Sequence, residues 1–158
     1  MDYLEITEDD IVKINFNGER LEGDKKPSSE WMMHAEIYKN YPAYNAIVHT
    51  HSSFATAFAV SRKKIPLILI EMEPFLGGEI EVAPFEPSGS LELARSILPY
   101  LKRTNSCLLI FYLKVFFHIL LKFFCNSCRT SDIIYHILPA IDNCLSCVRL
   151  KINGEILC

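Results

Sequence analysis

The sequence predicts an α/β domain over residues 1–108, followed by a stretch built on a different pattern. Three observations carry this. Short runs rich in β-branched and aromatic residues alternate with longer segments of helical character, separated by Gly, Pro and Ser turns. Half of the 158 residues are apolar, enough for a packed core and too many for a disordered tail. The turn punctuation then stops near position 109. A chain this long makes one domain, with little room for a second.

The elements follow in order. Ile11-Val12-Lys13-Ile14-Asn15-Phe16 has the composition of a strand, and Asn17-Gly18 is a turn dipeptide. Pro27-Ser28-Ser29 offers an extended residue and a helix cap, so residues 30–41 read as a helix that Pro42 stops. Residues 46–49 (Ala-Ile-Val-His) are a short strand of the buried type. Ser52 or Ser53 caps a helix that runs to about Ser61. Residues 65–70 read as a strand or extended segment and residues 79–83 as a further strand, on either side of the Gly77-Gly78 turn. Ser88-Gly89-Ser90 leads into a helix over residues 91–102, and Cys107 begins one more strand.

The formal charge of −3 argues against nucleic acid as the partner, because a phosphate backbone calls for a basic face. Met1 to Asp10 is acidic, without the basic start and apolar run of a secretory leader, which predicts a cytoplasmic protein. All six cysteines lie at or after position 107. A secreted disulfide framework would staple the whole chain, so this distribution points to two parts of different origin.

The sharpest chemical feature is His49-Thr50-His51. Residues two apart in an extended segment share a face, so both imidazoles can reach one ion, and imidazole suits zinc. Alone, this pattern is more often two histidines near a strand end. Glu30 shifts the balance. It stands in the first turn of a helix behind Ser28 and Ser29, where hydroxyls and free amides can also cradle a phosphate. His34 shares a helix face with Glu30 and ranks as a packing or supporting histidine. Glu71 and Glu73 read as solvated, and Asp9 with Asp10 as a polar turn before the first strand.

Lys26-Pro27-Ser28-Ser29-Glu30-Trp31, His34, Ile37-Tyr38, Asn45 to Ser52 with its His-Thr-His, Ile65-Pro66, Gly77-Gly78, Val82-Ala83-Pro84-Phe85 and Gly89-Ser90 together resemble the class II aldolase and adducin family. The branch resembled most is the one that cleaves L-fuculose 1-phosphate. The match covers roughly the first two thirds of the chain. It implies a three-layer α/β/α sandwich around a largely antiparallel sheet and a homotetramer. It also implies zinc-dependent cleavage of a sugar phosphate to dihydroxyacetone phosphate and an aldehyde. Carried over, His49 and His51 are ligands of Zn2+ or another divalent ion. Glu30 is the proton-shuttling carboxylate that also touches the metal, and Ser28 and Ser29 bind the substrate phosphate. Within the family, pentulose-phosphate epimerases and thioribulose-phosphate dehydratases share the metal logic, with Glu30 favouring the aldolase. The adducin branch shows a non-catalytic interaction module as the rival reading.

The departures predict an impaired, truncated enzyme. The family's leading phosphate loop is not found ahead of Lys26, and no tyrosine follows Ile65-Pro66 where a neighbouring subunit's tyrosine is expected. The family's third zinc histidine belongs to a His-Gly pair, where this chain has Ile110-Phe111-Tyr112; His118 is the nearest histidine. Residues 109–158 admit three readings. One is a membrane or interfacial helix at residues 108–124, short for a span and carrying Lys114 and Lys122. Another is a zinc ribbon from Cys125, Cys128, Cys144 and Cys147. The favoured one is a divergent, Cys-rich tail foreign to the family, such as an out-of-frame translation would give.

Overall fold

The computed structural model describes residues 7–110, 118–123, 146–152 and 155–157. A 3-10 turn at Glu8–Asp10 comes first, with the Asp10 carboxylate accepting from the Thr7 amide and hydroxyl at 3.0 Å each. Those bonds, the amide's first, with Lys25 beside them, hold the Asp10 carboxyl below the usual carboxylate range. Strands β1 (Lys13–Ile14) and β2 (Arg20–Glu22) pair antiparallel across the expected Asn17-Gly18 turn. Asn15 shapes that turn, its Oδ1 accepting from the amides of Asn17 and Glu19. Then come α1 (Trp31–Asn40), β3 (Ala46–Thr50), α2 (Ser53–Val60), α3 (Met72–Leu76), α4 (Leu91–Ser96), α5 (Leu98–Arg103) and β4 (Ser106–Leu109). Strands β5 (His118–Phe123), β6 (Ser146–Ile152) and β7 (Glu155–Leu157) complete one sheet in the order β2-β1-β7-β6-β3-β5-β4. Every pairing between these strands is antiparallel, as expected.

β3 is the central strand of the site. All five of its residues are buried, and it pairs with β5 on one edge and β6 on the other. His49 lies opposite Leu120 on β5 and opposite Cys147 on β6. His118 opens β5 opposite Leu109, next to Ile119, the partner of Thr50.

Successive residues of β4 feed two separate apolar clusters, as strand alternation requires. Cys107 and Leu109 join Ile37 and Tyr38 of α1, Leu93 of α4, Leu101 of α5 and Ile47 of β3. Leu108 and Ile110 join Ala55 and Ala59 of α2, Met72 of α3 and Ile80.

Four local expectations are corrected. Of the two readings of residues 65–70 the strand fails: Ile65 makes a single antiparallel bridge to Ile80, Pro66 brings no amide, and Ile68 and Ile70 are 71% and 83% exposed. Residues 79–83 supply only that bridge and a parallel one from Val82 to Leu108. The helix over 91–102 is two helices meeting at Ile97, because Pro99 cannot bond back into the preceding turn. The helical reading of 108–124 fails where the chain is described, since Leu108 and Leu109 belong to β4 and residues 118–123 are β5. An unbroken apolar run suits a strand sandwiched inside a sheet as well as a helix. Among the described residues no helix is long and apolar enough to cross a membrane. The zinc-ribbon reading rests on Cys125, Cys128 and Cys144, which lie outside the described residues. Glu71 and Glu73 are exposed, as expected.

The pairing of β3 generates a prediction. Its amides and carbonyls find their sheet partners on β5 and β6, and a buried backbone group left unpaired costs about 1–3 kcal/mol. A fragment ending at Ile110 is expected to lose cooperative urea unfolding, followed by circular dichroism and Trp31 fluorescence, while the full chain retains it. A sharp transition in the fragment would show that β3 is satisfied by other means.

Candidate active site

The candidate residues come from separate stretches: His49 and His51 from the end of β3, and Ser28, Ser29 and Glu30 from the start of α1. His49 is 2% exposed within β3, and His51 is the first residue after it, half-buried. Spacing by two along extended backbone brings their rings to 5.5 Å between centroids at an interplanar angle of 28°. His34, fully buried on α1, sets its ring 5.9 Å from that of His49. The supporting place given to His34 by sequence is therefore a real neighbourhood of three imidazoles. Directly after His51, Ser52 caps α2, its Oγ accepting from the Ala55 amide at 3.4 Å. Desolvation pushes the His51 imidazole below its ordinary range, favouring the neutral form that a metal requires.

Glu30 is buried at 8% exposure. The helix begins one residue later than expected, at Trp31, so Glu30 occupies the N-cap position rather than the first turn. Neither Ser28 nor Ser29 caps the helix. A turn from the Ser28 carbonyl to the Trp31 amide, at 3.1 Å, precedes it, and the Ser28 hydroxyl accepts from the Glu30 amide at 3.3 Å. Ser29 is exposed and Ser28 half-buried at this helix start. The Glu30 Oε1 accepts a hydrogen bond from the Ser88 hydroxyl. Its Oε2 is buried with no hydrogen-bond partner among the described residues.

The donor set fits a divalent ion in chemical type: two imidazoles from one strand end and a buried carboxylate oxygen. Its arrangement fits in part. The fold brings His49 and His51 together, yet among the described residues no three His, Cys, Asp or Glu side chains converge closely enough to hold one ion. Glu30 is thus not drawn into a three-ligand group with the pair. A surface hollow lined by Asp9, Ile11, Lys13, Glu22, Gly23, Asp24 and Lys25 contains none of the candidate residues.

Ser88 is the site residue that sequence reasoning missed, because Ser88-Gly89-Ser90 reads as a helix lead-in. Ser90 does that work, its Oγ accepting from the Leu93 amide at 3.1 Å. The available signal was Gly89. It adopts φ +72°, and a Cβ there would stand 2.9 Å from the Ser29 carbonyl oxygen. Gly89→Ala is expected to lower urea stability by about 1–3 kcal/mol, combining left-handed backbone strain with a collision against a backbone atom. A loss under ~0.5 kcal/mol would mean the two loops are not closely apposed.

Residues 1–111 match the model of the class II aldolase and adducin N-terminal domain. An L-fuculose phosphate aldolase of Methanococcus vannielii is 45% identical over 92 residues, 58% of this chain and 49% of that protein. A 5-deoxy-D-ribulose 1-phosphate aldolase of Bacillus thuringiensis is 37% identical over 94 residues, 60% of this chain and 44% of that protein. A solved structure of an L-fuculose 1-phosphate aldolase superposes with a TM-score of 0.69 at 30% identity, covering 88% of this chain and 62% of the other. The chain spans about half the length of the curated relatives it matches. The mixed α/β fold is that of the solved aldolase, and the chain belongs to the class II aldolase and adducin family.

Proposed function

We propose that this member of the class II aldolase and adducin family derives from, and retains the site chemistry of, a metal-dependent aldehyde-lyase. Its substrate would be a small phosphorylated ketose of the L-fuculose 1-phosphate type, cleaved to dihydroxyacetone phosphate and an aldehyde. One observation carries the reading: the His49 and His51 rings stand paired at one end of β3, with a buried carboxylate, Glu30, at the start of α1. A stability role gives little reason to bury an acid and several imidazoles in one small domain, whereas catalysis does.

In this reading His49 and His51 would hold Zn2+ or another divalent ion, with Glu30 able to join them. The ion would supply Lewis-acid polarisation of the ketose oxygens. Glu30 takes the hydroxyl proton released as the carbon–carbon bond breaks, and returns a proton to the carbon left behind. Its burial keeps water from exchanging that proton. Ser28 and Ser29, with the open amides of α1, hold the phosphate at the helix start. Two apolar clusters fed by alternate residues of β4 support the three-layer α/β/α arrangement. Exposed Phe54, Ile68, Ile70 and Phe75 support a homo-oligomer, since a lone subunit would leave them in water. Light scattering is expected to give a mass above that of one chain; a strict monomer would remove the oligomer from the proposal.

The absent His-Gly pair and the absent tyrosine support slow turnover. The purified chain is expected to bind zinc and to cleave L-fuculose 1-phosphate weakly. Glu30→Gln should lower kcat by about 10²- to 10⁴-fold with zinc retained. His49→Ala should weaken zinc binding by at least about 10- to 100-fold, the loss that even an outer-shell partner produces. A folded chain with neither zinc nor turnover would favour the non-catalytic, adducin-like module. Epimerisation or dehydration without carbon–carbon cleavage would assign it to the sister reactions.

A further inference from the structure

We propose that Ser88 is a positioning residue that holds the Glu30 carboxylate by Oε1 and so makes Oε2 the oxygen that reacts. This rests on the reading of Glu30 as the proton carrier, but the contact itself stands on geometry alone.

Three observations converge. The Ser88 hydroxyl donates to Glu30 Oε1 across 58 positions of sequence. The other oxygen, Oε2, is buried and has no hydrogen-bond partner among the described residues. Gly89 brings the Ser88 loop against the Ser29 carbonyl so closely that a methyl group would stand 2.9 Å from that oxygen. The close approach therefore has a purpose on both sides: it fixes the loop, and the loop fixes the carboxylate.

The chemistry of a hydroxyl suits this task. It donates to a carboxylate and accepts from a carboxylic acid, so one contact serves both protonation states of a proton carrier. A lysine or arginine there would favour the anion alone and hold the proton off. With Oε1 tethered, rotation about the carboxyl axis is restrained, and Oε2 presents one lone-pair direction to a proton or an ion. Such restraint is the usual duty of a partner behind a reacting group.

The test uses the full chain labelled with 13C at its glutamate carboxyls, the Glu30 resonance being assigned by its loss in Glu30→Gln. Ser88→Ala is expected to shift and broaden that resonance, and Ser88→Thr to restore it, since threonine keeps the hydroxyl and Ser88 is exposed. In aldol cleavage assays, Ser88→Ala should lower kcat by about 10- to 100-fold with KM nearly unchanged, and Ser88→Thr should recover most of it. An unchanged Glu30 resonance in Ser88→Ala would overturn the tether. A shifted resonance with unaltered kcat in an active chain would overturn the positioning role. If no form of the chain cleaves the sugar phosphate, the aldolase reading falls. The tether is then judged by the resonance alone: a Glu30 signal unmoved by Ser88→Ala would overturn it, and one shifted by Ser88→Ala and restored by Ser88→Thr would uphold it.

Discussion

The double pairing of β3 is the constraint on which the rest depends. A strand buried throughout has no water to satisfy its amides and carbonyls, so both of its edges must be hydrogen-bonded by other strands. Those strands are β5 and β6, and both come after residue 117. The part of the chain with the clear family pattern thus builds the site strand, while the part without that pattern supplies its hydrogen bonds. With the strand fixed on both edges, the end that carries His49 and leads into His51 has little freedom to wander.

Everything else at the site is placed relative to that strand end. The outward step from Thr50 to His51 is followed at once by the Ser52 cap, so the direction of α2 and the position of the His51 ring are set by the same few residues. On α2, small Ala55 and Ala59 face the core while Phe54 is 85% exposed. Small inward residues let the helix pack against Leu108 and Ile110 at the end of β4. On the other flank, α1 contributes His34 beneath His49 and Glu30 one turn earlier, the Glu30 carbonyl accepting from the His34 amide at 3.5 Å. One helix therefore ties the carboxylate to the imidazole group at a fixed axial offset.

Much of this was legible because its signals are local. Pro42 marked the end of α1, Ser52 the cap of α2, Asn17-Gly18 the first turn, and the run Ala46 to His49 a buried strand. The misreadings have physical causes. Residues 67–70 are apolar enough for a strand, but an apolar run says nothing about whether a partner strand is available, and these residues lie on the surface. The apolar periodicity of residues 91–102 continues through Pro99, and the missing amide outweighs the periodicity. Arg20-Leu21-Glu22 carries no strand pattern of its own and is β2 because β1 lies beside it, while Lys13 bonds Glu22 at 2.7 Å. Paired strands such as β5 and β6 are long-range facts that no window of sequence contains. Ser88 escaped for the same reason: its partner is 58 residues away.

The surroundings of Glu30 argue most directly about what the domain is for. A carboxylate at a helix N-cap ordinarily spends its oxygens on the free amides of the first turn. Here the side chain makes no capping bond, and the Ser28 hydroxyl accepts from the Glu30 amide instead. The carboxylate is turned away from the helix that could stabilise it, toward Ser88 on another loop, with one oxygen left over in a buried place. A fold selected for stability alone would turn that group back onto the amides. A fold that needs a held, partly unsatisfied acid one helical turn from the His34 ring and its neighbour His49 would keep it as it stands.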